Sequence, residues 1–567
     1  MKRDLYAMTS KTYDIVIVGG GITGACIARD AAQRGLSVAL VEKHDFASAT
    51  SAASSKLIHG GLRYLQNLEL GLVRESLRER RIWSNIAPHL IDPLTFLMPL
   101  TGGRLSRRLK MGLALTAYDW LAYDRNRLED PRKSIPGHRT LSREEAIALE
   151  PGIESESLTG AAIFYDYQMY SPERLALECI CDAGALGASV ANYVEVLEFE
   201  QDGGRVTGVR VRDKSRNGFE FSIHGRVTVN AAGPWADLLM AQVSGETPGR
   251  NLIRSKGIHI VTRDLTNGHG LAVPTDAGHF FILPWRGHSL IGTTDTVYEG
   301  HPDHFCVTEQ DIRDFVDIIS AGHPTATLRR EDVLHFYGGL RPIVDTTTDQ
   351  VEEPDEEEEP DSYSASRAAE IIDHAAENGL EGMVTAIGGK WTTSRSLAEQ
   401  IVDRIMEKLG KPPAPCTTDF TPTYGGDVGP YRDFLGRSFV KYSSMPEFII
   451  ENVTKNYGSR LDDVFALTEE DDSLTELISD EFPDIAAQIA YAVREEMALT
   501  LEDVLFRRTG LGTLGRPAPE TLARVADLMA RELNWSDEEK ESQLAQVETH
   551  FTPDSGGADA EPAAAAQ

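Results

Sequence analysis

The 567-residue sequence has only five cysteines, Cys26, Cys179, Cys181, Cys306 and Cys416, with no CxxC pair and no repeated ligand spacing among them. A disulfide framework and an iron–sulfur or zinc centre both need such spacings, so no metal site is predicted and a reducing compartment is. Long apolar runs are missing as well. Nowhere do about eighteen uncharged apolar residues follow one another, which excludes an ordinary spanning helix. The start, MKRDLYAMTSKTYDIVIVGGG, has no apolar segment ahead of its first strand, so a secretory signal is not expected. Positive charge is scarce: 56 Lys and Arg against 88 Asp and Glu leave a net charge of −32. Nucleic-acid binding is thereby disfavoured, because phosphate contacts need basic surface. The acidic excess suits a chain adapted to molar salt, where the screening length falls to about 3 Å, and a halophilic cytoplasm is the expectation.

What is present is a globular chain, 41% hydrophobic and long enough for several compact units. YDIVIVGGGITGACIARDAAQRGLSVALVEKHDF reads as strand, turn, helix and strand. Ile15 to Val18 is an apolar run entering a glycine turn, helical spacing continues through Ala31, Gly35 stops the helix, and Ser37 to Val41 returns as a buried strand. Gly19, Gly21 and Gly24 form GxGxxG, which permits a tight turn, close pyrophosphate approach and close helix packing. Glu42, ending the second strand, is placed for a ribose hydroxyl. The fingerprint predicts a dinucleotide site without choosing between NAD and FAD.

SAASSKLIHGGLRYLQ, residues 51–66, follows soon after Glu42, and its small residues allow backbone to approach a cofactor. Further islands succeed it in order: VNAAGPW, SKGIHIV, ILPW with IGTTD, YGGLRP and GGKWTT. RVTVNAAGPW reads as a β-branched strand ending in small residues, and equally as a plain buried strand and turn. GGKWTT opens a helical segment, Ser394 to Leu409, whose amino end could face a cofactor or could be an ordinary capped turn.

Through these strings the chain resembles the FAD-dependent glycerol-3-phosphate dehydrogenases, over roughly residues 12–540. The resemblance implies FAD as cofactor, lying along Ser54, Ser55, Lys56, Leu57 and Ile58, near Ala232 and Gly233, and against Gly388, Gly389, Lys390 and Trp391. It implies substrate contacts at Arg63 and Tyr64, Thr294, Arg341 and Lys390, with Arg367 a looser transfer because its flanks match poorly. Its substrate is sn-glycerol 3-phosphate, and its electrons pass to quinone at the cytoplasmic membrane face. Oxidising a secondary alcohol beside a phosphate needs a cation cluster, a hydride acceptor and a place for the hydroxyl proton. Arginine is the natural phosphate clamp because its planar fork bonds bidentately. His259, in the strand-like GIHIVT, is the polar group expected to face the hydroxyl, with Arg341 or Lys390 as the alternatives that could ease proton loss; a lone histidine in an apolar strand is otherwise a structural residue.

The fold class predicted is α/β plus α: a Rossmann-like FAD-binding domain, an antiparallel-sheet substrate domain and a C-terminal helical domain. The oxidoreductase region spans 12–415, with its FAD-binding part discontinuous over about 12–100, 155–240 and 335–415 and its substrate part mainly 241–334. Residues 416–548 are helical, with amphipathic stretches at Asp484 to Met497 and Pro519 to Leu533, and 549–567 form a disordered tail. Nine of the thirteen residues from Asp349 to Asp361 are acidic, which reads as a solvated loop. RLSRRLKMGLALTAYDWLAY sets Arg104, Arg107, Arg108 and Lys110 ahead of an apolar stretch, the pattern of a peripheral membrane anchor or of a core helix with a basic end. A quinone or electron-transfer subunits are the expected partners. The rival readings are an oxygen-using glycerophosphate oxidase, an amino-acid oxidase on the same fold, and a flavin-binding subunit active only in a complex.

Overall fold

The computed structural model describes residues 1–65, 68–102, 105–215, 218–244, 252–275, 278–322, 328–344 and 369–554. Arg104, Arg367, the acidic run 349–361 and the tail from 555 onward lie outside these residues, and of Arg107 and Arg108 only the backbone is described.

The amino-terminal unit forms as the periodicity predicts. Thr12–Val18 and Val38–Val41 are Ile-, Val- and Leu-rich and almost wholly buried, as strands covered on both faces must be. Between them the helix Ile22–Gln33 buries Ala25, Ile27, Ala28 and Ala31, and the chain turns at Gly35 with φ +76°. The sheet built on these strands runs in the order Ala369–Asp373, Met383–Gly388, Glu220–Asn230, Thr12–Val18, Val38–Val41, Ser189–Ala191. The last five are mutually parallel, and Ala369–Asp373 closes the edge antiparallel. Strands from four distant parts of the chain thus point their carboxyl ends into one crevice, where ligands bind in open α/β sheets.

Among the described residues the second sheet has ten strands, antiparallel except where Gly270–Thr275 meets Ile91–Thr101. Leu252–Arg263 pairs with Val333–Val344 along most of its length. This sheet is wider than residues 241–334, because Ile91–Thr101, Leu158–Met169 and Val333–Val344, expected in the nucleotide-binding part, all pair within it. Ile91–Thr101 and Leu158–Met169 find each other across a gap that local pattern does not register.

The carboxyl-terminal unit packs Tyr431–Lys441, Glu447–Tyr457, Leu461–Glu470, Ala486–Glu496, Pro519–Leu533 and Asp537–Glu548 around their own apolar core. The tail is not free from residue 549. Phe551 packs against that core, and the Asp554 N–H donates to the Val307 carbonyl (3.1 Å) while its carbonyl accepts from Glu309 N–H (2.9 Å). An aromatic side chain and two backbone hydrogen bonds hold residues 549–554, the described start of what composition alone presents as a disordered stretch.

A buried ion cluster joins this unit to the first. Asp45, in the loop after Val38–Val41, is fully buried and accepts from Arg507 Nε (2.6 Å) and from Arg508 Nη1 and Nη2 (2.8 and 2.9 Å). Both arginines lie on a π-helical turn, Asp503–Arg508.

The basic-apolar segment forms the helix Leu105–Leu121. Leu115 and Tyr118 are buried, whereas Leu113, Trp120 and the following Tyr123 are 70%, 77% and 70% exposed. The helix both packs on the core and presents an apolar outer side. Among the described residues no helix is long and apolar enough to cross a membrane.

Candidate functional site

One cavity of about 1260 Å³ runs between the two sheets, larger than the roughly 300–1,000 Å³ of an ordinary small-ligand site. It has room for a dinucleotide with a small substrate beside it.

The first wall is the glycine turn. Gly19 has φ +109°, and a Cβ there would lie 2.5 Å from the Ala231 carbonyl oxygen; at Gly24 it would lie 1.9 Å from the Gly19 carbonyl oxygen. Gly19 therefore brings strand ends together, and Gly24 seats the helix on the turn without itself lining the cavity. Glu42 accepts from Gly20 N–H (2.7 Å) and His44 N–H (2.9 Å), so its carboxylate is fixed at the mouth of the turn. Ser51 Oγ accepts from Ile22 N–H (2.9 Å), tying the serine-rich loop to the helix amino end. These residues fit an FAD: a close backbone approach, amides at a helix start and a carboxylate at the second strand end all face one groove.

The serine-rich loop then lies across the second sheet. Thr50 Oγ1 donates to the Leu340 carbonyl (2.6 Å), and a Cβ on Gly339 would meet Ala53 Cβ at 2.7 Å. Ser54, Ser55 and Leu57 line the cavity, as do Ala232, Gly233, Gly388, Gly389, Lys390 and Trp391. Trp391 Nε1 donates to the Ser51 carbonyl (3.3 Å) and its ring lies 5.4 Å from Trp83, so the GGKWTT turn is braced against the same loop.

Arg63, Tyr64, Arg341, Lys390 and His259 line the same cavity. The register of Leu252–Arg263 with Val333–Val344 explains two of them. Ser255 faces Arg341, Gly257 faces Gly339 and His259 faces Tyr337, so alternate positions share one side of the sheet. A Cβ on Gly257 would lie 1.8 Å from Arg341 Nη2, so the guanidinium passes directly over that glycine. Arg341 donates to Thr293 Oγ1 (2.9 Å), the Thr294 carbonyl (2.6 Å) and Ser255 Oγ (3.2 Å), and pairs with Asp295 at 3.2 Å. Lys390 Nζ donates to Ser76 Oγ (2.7 Å) and sits 4.1 Å above the Tyr64 ring. His259 stacks on Tyr337 at 4.9 Å, and its Nε2 lies 3.0 Å from Ser55 Oγ. Burial, then the nearby Arg341 and Lys56 charges, hold its pKa well below the ordinary 6.5. The ring is neutral at physiological pH.

Three expected contacts are corrected by geometry. Lys56, at φ +56°, turns its side chain into the interior, where Nζ donates to Glu173 Oε1 (2.8 Å) over the Trp285 and Tyr337 rings. Ile58 is fully buried in the amino-terminal core. Thr294 spends its hydroxyl on Ile258 N–H (3.1 Å) and offers Arg341 only its carbonyl, whereas the neighbouring Thr293 lines the cavity. Arg367 lies outside the described residues. Sequence reading passes over Ser51, Asp166 and Asp295, because each acts through a partner distant in the chain; Asp295 ends the quoted IGTTD, which marks its place but not its role.

Met98, Leu100, Met111, Ala114, Phe164 and Phe281 give the same cavity apolar lining, with Met111 and Ala114 supplied by the helix Leu105–Leu121.

Residues 14–395 match the family described as FAD dependent oxidoreductase, and residues 416–540 match the C-terminal domain of alpha-glycerophosphate oxidase. The chain is 33% identical to a glycerol-3-phosphate dehydrogenase of Synechocystis sp., covering 97% of this chain and 98% of that one. It is 32% identical to an aerobic glycerol-3-phosphate dehydrogenase of Staphylococcus aureus, with 94% of each covered. Its fold is similar to the crystal structure of the glycerol-3-phosphate dehydrogenase from Bacillus halodurans complexed with FAD, with a TM-score of 0.75 and 28% identity over 96% of this chain and 95% of that one.

Proposed function

Because this chain belongs to the FAD dependent oxidoreductase family and takes FAD as its cofactor, we propose that it oxidises sn-glycerol 3-phosphate to dihydroxyacetone phosphate and hands the electrons to a quinone. The observation that carries the reading is the meeting of Arg63, Arg341 and Lys390, from three separate stretches, with His259 in the cavity that also holds the dinucleotide cradle. Bound FAD supplies the hydride acceptor. Glycine-turn residues Gly19 and Gly21, with Glu42, would hold its dinucleotide end, and Ser54, Ser55 and the 388–391 turn its ring system.

The rest is the work of side chains. Arg341, its Nη groups held by Asp295, Ser255, Thr293 and the Thr294 carbonyl, sets a fixed positive charge beside the substrate phosphate, and Arg63 and Lys390 add charge without which a group near two negative charges would not leave water. His259 is neutral, so one ring nitrogen can accept the hydroxyl proton as the carbon-bound hydrogen departs with its electron pair. A phosphate bound on Arg341 offsets the positive charge that helps depress His259, so substrate binding itself raises the basicity of the ring.

The apolar lining supports the acceptor. A phosphorylated triol has no use for Met98, Leu100, Phe164 and Phe281, whereas a quinone ring and its tail would. The outer side of the helix Leu105–Leu121, with Leu113 and Trp120 exposed, supports a peripheral seat on a membrane surface, from which such an acceptor could enter. The match to the glycerophosphate oxidase domain keeps oxygen as the second reading. Anaerobic titration of the purified holoprotein with sn-glycerol 3-phosphate should bleach the flavin, and a flavin that stays yellow in excess substrate overturns the reading. Comparing peroxide yield with reduction of a soluble quinone analogue then separates the two acceptors.

A further inference from the structure

The turn that presents Arg63 and Tyr64 has two hydrogen bonds of its own, Gly61 N–H to His59 Nδ1 (3.1 Å) and Tyr64 N–H to the Gly61 carbonyl (3.0 Å), and is also braced from outside. It runs through Gly60 and Gly61 into the 3-10 turn Leu62–Leu65, and its brace comes from Asp166, on Leu158–Met169 of the second sheet. Asp166 is 2% exposed and lines the cavity. Its Oδ1 accepts from Gly60 N–H (3.2 Å), and both its oxygens accept from the Tyr118 hydroxyl (3.0 and 2.9 Å). Arg80 pairs with the same carboxylate and also donates to the Tyr165 carbonyl (3.0 Å). Three groups from three separate parts of the chain therefore converge on one buried carboxylate.

The packing leaves little freedom around it. A Cβ on Gly60 would lie 2.3 Å from both Leu77 Cδ2 and the Tyr118 hydroxyl, and one on Gly61 would lie 2.3 Å from the Tyr64 ring. The Tyr64 ring in turn underlies Lys390 Nζ at 4.1 Å. Burial, then the Asp166 charge, push the Tyr118 phenol well above its ordinary 10, so it stays a donor at any working pH. A carboxylate beside a phosphate pocket would repel the ligand if it were open. Here Arg80 offsets its charge and the hydrogen bonds occupy its oxygens, leaving it a framework role.

We propose that Asp166, held by Tyr118 and Arg80, is a positioning residue that sets the Gly60–Gly61 turn and thereby the placement of Arg63 and Tyr64 against the substrate phosphate. The proposal rests on the reading of the cavity as a glycerol phosphate site. Loss of the Tyr118 hydroxyl would relax the turn by one of its anchors while keeping the ring that fills the space beside Gly60.

The test uses the full-length holoprotein and the variants Tyr118→Phe and Asp166→Asn. With Tyr118→Phe, KM for sn-glycerol 3-phosphate should rise roughly three- to tenfold with kcat within about twofold. Competitive inhibition by inorganic phosphate should weaken in parallel, and the flavin should be retained in full. Asp166→Asn should do the same more strongly where it folds; Tyr118→Phe keeps the test decisive where it does not. A Tyr118→Phe enzyme with lowered Tm but unchanged KM and phosphate inhibition would make the cluster purely structural and overturn the proposal. Failure of the cavity reading is told apart by the wild type: there the flavin would not bleach with substrate in the first place.

Discussion

Arg341 owes its direction to several acceptors on one side, and a lysine could not satisfy them together. Arg341→Lys keeps a charge but loses the set of acceptors that fixes its place, so KM for the phosphorylated substrate should rise about tenfold or more while kcat changes less; unchanged steady-state constants would remove Arg341 from the phosphate site. His259→Ala should slow flavin reduction by substrate roughly a hundredfold in anaerobic stopped flow, the range expected for loss of a proton acceptor, and an unaltered single-turnover rate would leave the ring with only its stack on Tyr337. At this scale the sequence is readable where chemistry sits in a compact string. Arg63 and Tyr64 in GGLRY, Arg341 in GGLRP and Lys390 in GGKWTT all reach the cavity. Lys56 does not, because one positive φ turns it inward, and nothing in its neighbours' identities announces that angle. Asp166 carries no motif: its meaning lies in Gly60, Tyr118 and Arg80, which only the fold brings beside it.

Elements were legible in proportion to how local their causes are. The helix Ile22–Gln33 and its flanking strands follow from apolar period and one stopping glycine, and Pro519–Leu533 follows from amphipathic spacing alone. The assignment of Ile91–Thr101 and Leu158–Met169 to the second sheet depends on a pairing made across many residues, so composition gives no hint of it. The helix Leu105–Leu121 combines both cases. Its periodicity predicts a helix, while the fold decides that Met111 and Ala114 reach the cavity, Leu115 and Tyr118 the core, and Leu113 and Trp120 the solvent. Replacing Leu113 and Trp120 together by Glu should reduce co-sedimentation with anionic lipid vesicles severalfold and leave bleaching by substrate intact; equal partitioning of the wild type and the variant would assign that side no part in membrane seating.

For the whole molecule, a net charge of −32 means that dilute buffer sets like charges against one another. Resistance to urea should therefore increase between about 0.1 M and 2 M NaCl, and equal midpoints at both would exclude adaptation to salt. Acid should act through a different group. His335 is buried against Phe506 and Phe551, and burial, then His550 and Lys56, lower its pKa to about 3. The unfolded chain would bind a proton there near pH 6.5 and the folded chain would not, so stability falls as the pH drops through that window. His335→Phe should spare roughly 2 kcal/mol of the loss between pH 6.5 and 5, read from urea midpoints at the two pH values, and parallel losses would assign the acid sensitivity elsewhere. The cluster at Asp45 bears on how this protein can be dissected. Residue 416, where the second family match begins, is a poor place for scissors. A fragment ending there would keep the buried Asp45 carboxylate and discard both guanidiniums that neutralise it. The smaller, helical unit thus carries the counter-ions of a carboxylate that belongs to the larger one.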